Sequence, residues 1–306
     1  MRYRILTSLV AISLMLLLLS CTGKGTEASI ETEFKERMVQ TSDGTLYARV
    51  AGNLGSGNVL IALHGGPGNS SDYMVSLGQL AGEKQAVVIF DQRGTGRSTD
   101  LGSDAVNYSF AKYVEDIEAV REAAGADKIS LLGHSWGGVL AMRYAASYPQ
   151  HVLSMVLMGS GAPSLQAALT AQEGKLNRIA QLQEQGLIPK QITGVNDILP
   201  AYFSDPRFDR PPELDPLYYK PSVEQSTWSS LGDFDFTAET NRLVLPVLVL
   251  YGKDDPFGML MVNSVISSLS NAETELVLLE NCGHYWHECP DQFFPSVREF
   301  LNRHAP

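Results

Sequence analysis

The sequence predicts an α/β protein, a mostly parallel central sheet with helices on both faces and a helical insert late in the chain. Three observations predict it. Short runs with no polar face, Val59–Leu63 and Ala86–Phe90, have the composition of strands covered on both sides. Between such runs lie stretches with helical periodicity, and this alternation is what builds parallel sheets. From Leu165 to Ser230 the alternation stops, and strand-like composition returns only at Val244–Tyr251.

Taken in order, Phe34–Val39 and Thr45–Ala51 flank Ser42-Asp43-Gly44 and read as strand, turn and strand. The clearest helix is Phe110–Ala124, where Phe110, Tyr113, Val114, Ile117 and Val120 recur at three- and four-residue steps. A strand at Lys128–Leu132 leads into a helix over Trp136–Ser147, ended by Pro149, and a strand at Leu153–Met158 follows. The insert holds a helical stretch, Leu176–Gln185, and a loop rich in Pro and Asp, Ser204–Pro216. After Val244–Tyr251 come a helix from Met259, a strand at Glu275–Leu279 and a closing helix over Asp291–Asn302. The expected organisation is a cleaved segment 1–20, a tether 21–32, core residues 33–163, a helical cap 164–240 and core residues 241–306.

The first twenty residues do not belong to the fold. Arg2 and Arg4 precede the apolar run Ile5–Leu19, whose 15 residues fall short of the about 20 a membrane-spanning helix needs. Ending at Leu18-Leu19-Ser20-Cys21, the run has the form of a bacterial lipoprotein signal, with Cys21 as the acylated new N-terminus. Thr22 after the cysteine implies sorting to the outer membrane in a Gram-negative host. Export also permits disulfides, but the spacing of Cys282 and Cys289 fits either a small closed loop or two free thiols. With a formal charge of -11 and no basic run, the chain repels phosphate backbones, so nucleic acid is not an expected partner. Oligomeric state is not legible.

The pattern Gly133-His134-Ser135-Trp136-Gly137 is weak alone, but it sits between a buried strand and a helix. On so sharp a turn a serine is pushed into the cleft at the strands' carboxyl ends, and the N–H of Trp136, opening the helix, can face a developing oxyanion. A serine needs a base. Of six histidines only His284 lies in a loop directly after a late strand; His134 would point away from the serine, and His151 and His304 read as surface residues. His287 makes an H-x-x-H pair with His284, but no companion ligand stands at a recognisable metal spacing. A carboxylate must orient the imidazole, and Gly252-Lys253-Asp254-Asp255 supplies two candidates. Serine, acid, histidine is the chain order of an α/β-hydrolase. A second oxyanion donor is expected from the Gly-rich turn His64-Gly65-Gly66-Pro67-Gly68.

HGGPG at 64–68, DQRGTGRS at 91–98, GHSWGG at 133–138, GKDD at 252–255 and CGH at 282–284 resemble the proline iminopeptidase (prolyl aminopeptidase) group of α/β-hydrolases, from about residue 34 to the C-terminus. The resemblance implies Asp255 as the acid, three residues after the strand-end glycine, and Gly66 with Trp136 as the oxyanion donors. It also implies cap glutamates that hold the substrate's free amino group, one of them following a tryptophan. Here Trp228 is followed by Ser229, which leaves Glu213, Glu224 and Glu239 as candidates beside Trp228. Asp91 and Arg93 read as a structural ion pair or hydrogen-bonded turn.

The expectation is therefore a serine hydrolase that needs no cofactor or metal, with Ser135, Asp255 and His284 as its triad. Its expected reaction is release of N-terminal proline or a small apolar residue from short peptides. A carboxylesterase, lactonase or amidase would use the same chemistry on small apolar acyl groups. A non-catalytic binding protein on this fold would be expected to lack a triad member, and none is lacking.

Overall fold

Aliphatic runs without a polar face can be satisfied only between two layers, and in the structure each such run is a central strand. The computed structural model describes residues 33–306; the expected signal 1–20, Cys21 and the tether 21–32 lie outside the described residues. The strands are β1 Lys35–Thr41, β2 Gly44–Ala51, β3 Val59–Leu63, β4 Ala86–Phe90, β5 Ile129–His134, β6 Val152–Met158, β7 Pro246–Gly252 and β8 Glu273–Leu279. They form one sheet in the order β1-β2-β4-β3-β5-β6-β7-β8. The pairs β1/β2 and β2/β4 are antiparallel, and every pair from β4 onward is parallel.

Period two divides the strand side chains between two cores. Ile61, Leu63, Val88 and Phe90 face one layer, and Leu60, Ala62, Val87 and Ile89 face the other. Helices α1 Phe110–Ala123 and α2 Trp136–Ser147 cover the first face through Tyr113, Ile117, Leu140 and Met142, among others. On the opposite face Met74 and Leu77 of a 3-10 segment meet Phe293, Val297 and Phe300 of the C-terminal helix, numbered below. Because β4 lies on one side of β3 and β5 on the other, the chain reverses direction between β3 and β5. A crevice opens at the carboxyl ends of strands at such a point.

Between β6 and β7 the chain builds α3 Leu165–Glu184, α4 Val195–Ile198, α5 Pro221–Leu231 and α6 Thr237–Thr240; α7 Gly258–Ser267 and α8 Pro290–Arg303 follow. Helix α3 starts well before the expected Leu176. Its first turns place Leu165, Ala168 and Leu169 on the lining of a cavity, and Leu165, Ala168 and Ala171 also pack against the first core. The insert is tied to the core by an antiparallel bridge, Asn69 to Tyr219, beside a hydrogen bond from Lys220 N to Gly68 O of 2.8 Å.

Asp91 and Arg93 do not pair with each other, contrary to one of the two readings above. Asp91 closes a turn, accepting from Ser71 N (2.8 Å), Ser71 Oγ (2.6 Å) and Arg97 N (2.8 Å). Arg93 is buried and instead forks onto Asp116 through Nε (2.8 Å) and Nη2 (2.7 Å). Its remaining donors reach Asp43 and the carbonyls of Asn107 and Lys112, which occupies all five N–H groups of the guanidinium. Removing one side of a buried pair strands the other charge. Asp116→Ala is expected to cost about 3–5 kcal/mol in urea unfolding; a loss below about 1 kcal/mol would show that this pair does not hold the β4 turn.

Candidate active site

At the carboxyl end of β5 the backbone turns so tightly that Ser135 adopts φ 55°, ψ −118°. For a residue with a Cβ this is a strained conformation, kept only where the surroundings over-determine it. Three hydrogen bonds do so. Ser135 N donates to Met158 O (3.0 Å), and Ser135 O accepts from Gly138 N and Gly161 N (both 3.0 Å). Two glycines let the chain through: a Cβ on Gly133 would collide with the backbone of Gly137, and one on Gly137 with the carbonyl of Leu63.

His284 follows β8, is 2% exposed, and lies with its Nδ1 2.7 Å from Asp255 Oδ2. Asp255 is 4% exposed, and its other oxygen accepts from Phe257 N at 3.0 Å. Asp254 points elsewhere, accepting from Ser204 Oγ at 2.7 Å on the exposed side. Of the two acids in the motif, then, only Asp255 meets the imidazole. Because a carboxylate only accepts, Nδ1 carries the proton and Nε2 is left as the basic nitrogen. The pair sits against Gly159, where a Cβ would come within 2.9 Å of Nδ1 and 3.2 Å of Asp255 Oδ2. The backbone N–H of His284 donates to Tyr202 O of the insert at 2.7 Å.

Ser135, Gly66, Trp136 and His284 line one cavity of about 760 Å³. Among the described residues neither Gly66 N nor Trp136 N donates to a protein acceptor. The loops that present these amides are cross-braced. Gln92 N donates to His64 Nε2 (3.0 Å), Gln92 Nε2 to His64 O (2.7 Å), and the Trp136 indole N–H to Gln92 Oε1 (3.1 Å).

His134, the neighbour of Ser135, bonds to neither oxygen of the serine and links two halves of the site. Its Nε2 lies 2.9 Å from His284 O, which can only accept, so Nε2 carries the proton. Its Nδ1 then accepts from the Tyr73 hydroxyl at 2.8 Å, and that oxygen accepts from Gly65 N at 2.6 Å. The result is an ordered chain from the glycine turn to the histidine loop. Nothing in the local pattern of the sequence marks Tyr73 as part of it.

Of the three candidate glutamates the structure brings one to the cavity. Glu224, on α5, accepts from Tyr219 Oη and from Trp228 Nε1 (3.5 Å), and all three residues line the wall. Glu213 sits in the 3-10 turn Pro212–Leu214 and does not line the cavity. Glu239 is drawn off by Arg143 at 3.8 Å, and it too is absent from the lining. One cavity residue was not anticipated: Lys175, on the face of α3 that also carries Leu165, Ala168, Leu169 and Gln172. A lysine in a polar helix has no sequence signal that separates it from a solvated one.

Cys282 and Cys289 are joined in a disulfide, closing the loop that holds His284. His287 donates through Nε2 to Tyr73 O at 3.0 Å. His151 lies on Glu118 at 3.1 Å, and His304 ends α8. Among the described residues no group of three or more His, Cys, Asp and Glu gathers as metal ligands do, and no helix is long and apolar enough to cross a membrane.

The family model described as the alpha/beta hydrolase fold matches residues 58–288. A proline iminopeptidase of Lactobacillus delbrueckii subsp. lactis is 32% identical over 276 residues, covering 82% of this chain and 92% of its own. One from Saccharolobus solfataricus is 27% identical over 307 residues, covering 92% and 96%. Among solved structures, the Mycobacterium smegmatis proline iminopeptidase aligns with a TM-score of 0.70 at 23% identity, over 88% of this chain and 98% of that one. Est816, described as an N-acyl homoserine lactone degrading enzyme, aligns at 0.65 and 21%, over 86% and 100%. At such identities the structural likenesses speak for fold alone.

The buried histidines give the protein a pH dependence. Burial lowers the pKa of His64, pushes His134 well below its ordinary value, and brings His287 down to about 4. Unfolding restores ordinary values near 6.5, so below that pH the unfolded chain binds protons that the folded one refuses. The stability these groups supply is complete above about pH 6.5 and is lost as pH falls toward the folded values, by at most about 1.4 kcal/mol per unit per histidine. Urea unfolding from pH 7 to pH 5 should show this decline, and His287→Gln should flatten it; equal slopes for the two proteins would contradict the assignment for His287.

Proposed function

The chain belongs to the alpha/beta hydrolase family and is a homologue of proline iminopeptidases, and on that premise we propose that it is a serine hydrolase releasing N-terminal proline or a small apolar residue from short peptides. The observation that carries the reading is a single cavity lined by the strained Ser135, by His284 bound to Asp255, and by a carboxylate, Glu224, held by Tyr219 and Trp228. His284 Nε2 takes the proton of Ser135 as Oγ attacks the substrate carbonyl. The tetrahedral oxyanion that forms is met by the N–H groups of Gly66 and Trp136, neither of which has another acceptor among the described residues. His284 then gives its proton to the departing amine, and water, deprotonated by the same nitrogen, cleaves the acyl-enzyme. Asp255 keeps the Nδ1–H tautomer throughout and offsets the positive charge on the ring.

Glu224 is the group on the wall suited to a protonated substrate amine, and Phe234 and Trp228 offer apolar surface beside it. One observation favours the esterase or lactonase alternative. The carboxylate of Glu224 is already engaged by Tyr219, and much of the remaining lining, including Val139, Leu165, Leu169 and Met261, is aliphatic. Export with acylation at Cys21 belongs to the same proposal. A disulfide in the histidine loop supports it, since such bonds persist mainly in oxidising compartments.

Ser135→Ala is expected to lower kcat by about 10⁴-fold or more on every substrate. Glu224→Gln should raise KM for prolyl-p-nitroanilide about ten- to hundredfold and leave p-nitrophenyl acetate hydrolysis within about twofold. Glu213→Gln and Glu239→Gln should behave as wild type. Ester hydrolysis with no release from prolyl-p-nitroanilide would replace the aminopeptidase reading by the esterase one. Detergent phase partitioning tests the anchor: the mature wild type should enter the detergent phase and Cys21→Ala should not.

A further inference from the structure

The cavity lining contains two side chains of fixed charge among the described residues, Glu224 and Lys175. Glu224 has partners. Lys175 has none, making no hydrogen bond or salt bridge among the described residues, although it is half-buried. Its ammonium lies 5.5 Å from the centroid of the Phe257 ring, and that ring is 5.2 Å from the imidazole of His284. The side chain is therefore held over an aromatic face near the reacting groups rather than trailing into solvent. Its place is built by the residue before it. Gly174 lets α3 approach so closely that a Cβ there would collide with Pro256 O, in the loop that carries Asp255.

Burial lowers the pKa of Lys175, and the opposing pull of Glu224 only partly offsets this. A desolvated ammonium facing an open cavity is favourable to an arriving anion and unfavourable to an arriving amine. Glu224 can receive the amine, which leaves the cation for a second, negatively charged group on the same substrate. The cavity, about 760 Å³, is of a size that buries a ligand well beyond one prolyl residue. Extended chain advances about 3.3–3.6 Å per residue, so the carboxylate of a di- or tripeptide stands about 7–11 Å from its amine. Glu224 and Lys175 line the same cavity, which therefore offers an opposite charge to each end of one small peptide.

We propose that Lys175 is a specificity residue that holds the C-terminal carboxylate of the substrate, so that the preferred substrates are di- and tripeptides with a free carboxyl group. This rests on the aminopeptidase reading above, with Glu224 as the amine site. A free-carboxylate substrate and its amide separate the two ideas. Wild type should cleave Pro-Ala with a kcat/KM at least about tenfold above that for Pro-Ala-amide, mainly through KM, the size of a charge-assisted hydrogen bond. Lys175→Met should bring that ratio close to one, and Lys175→Arg, which keeps the cation, should restore much of it. An equal rate on the acid and the amide in wild type overturns the assignment without needing any variant. So does a Lys175→Met protein that slows both substrates alike. If wild type cleaves no prolyl substrate at all, including prolyl-p-nitroanilide, the aminopeptidase reading fails and this assignment fails with it; cleavage of prolyl-p-nitroanilide without an acid preference sinks this assignment alone.

Discussion

A serine held at φ 55°, ψ −118° costs on the order of 1–3 kcal/mol, and much of the molecule around it is arranged to keep it there. The turn persists because β6 accepts its N–H and two glycine amides donate to its carbonyl. Those contacts require β5, α2 and the β3 turn to come closer than side chains allow, hence the glycines at 133 and 137. Satisfying that one turn thus places the β3 loop, with Gly66, and the start of α2, with Trp136, on the same cavity.

The remaining parts are coupled to the turn by buried polar contacts more than by chain proximity. Tyr73 and His134 carry an ordered run of hydrogen bonds from Gly65 to the carbonyl of His284, across residues far apart in sequence. Burial keeps His134 neutral, which suits a residue that must donate at one nitrogen and accept at the other. The insert touches this frame through Tyr202 on His284, through Ser204 and Asp205 on Glu288 of the histidine loop, and through the Tyr219–Lys220 segment on the β3 loop. Its cavity wall is thereby registered to the groups proposed to do the chemistry: Glu224 is tied to it through Tyr219, whereas Lys175 makes no hydrogen bond or salt bridge among the described residues.

What could be read from the chain and what could not divide along a physical line. Strands buried on two faces are legible because their composition has no polar face, and a serine between glycines at a strand end is legible because the turn has few other solutions. Residue type alone does not separate Asp254 from Asp255; the motif resemblance selects Asp255, and in the three-dimensional turn it is Asp255 that meets His284 while Asp254 meets Ser204. Glu213, Glu224 and Glu239 are likewise equivalent until packing sends one of them to the cavity and another to Arg143. The linking role of His134 is not legible because its neighbour relation to Ser135 is local, whereas its hydrogen-bond partners come from residues 73 and 284.

The covalent link between Cys282 and Cys289 encloses His284 and His287 in a ring of a few residues, with β8 entering on one side and α8 leaving on the other. A ring so small removes little freedom from the unfolded chain compared with a long one, so its effect is felt locally. Continuity is what it adds. If a peptide bond anywhere between those two cysteines were cut by a protease, the strand and the helix would still be one molecule, and the C-terminal segment could not diffuse away.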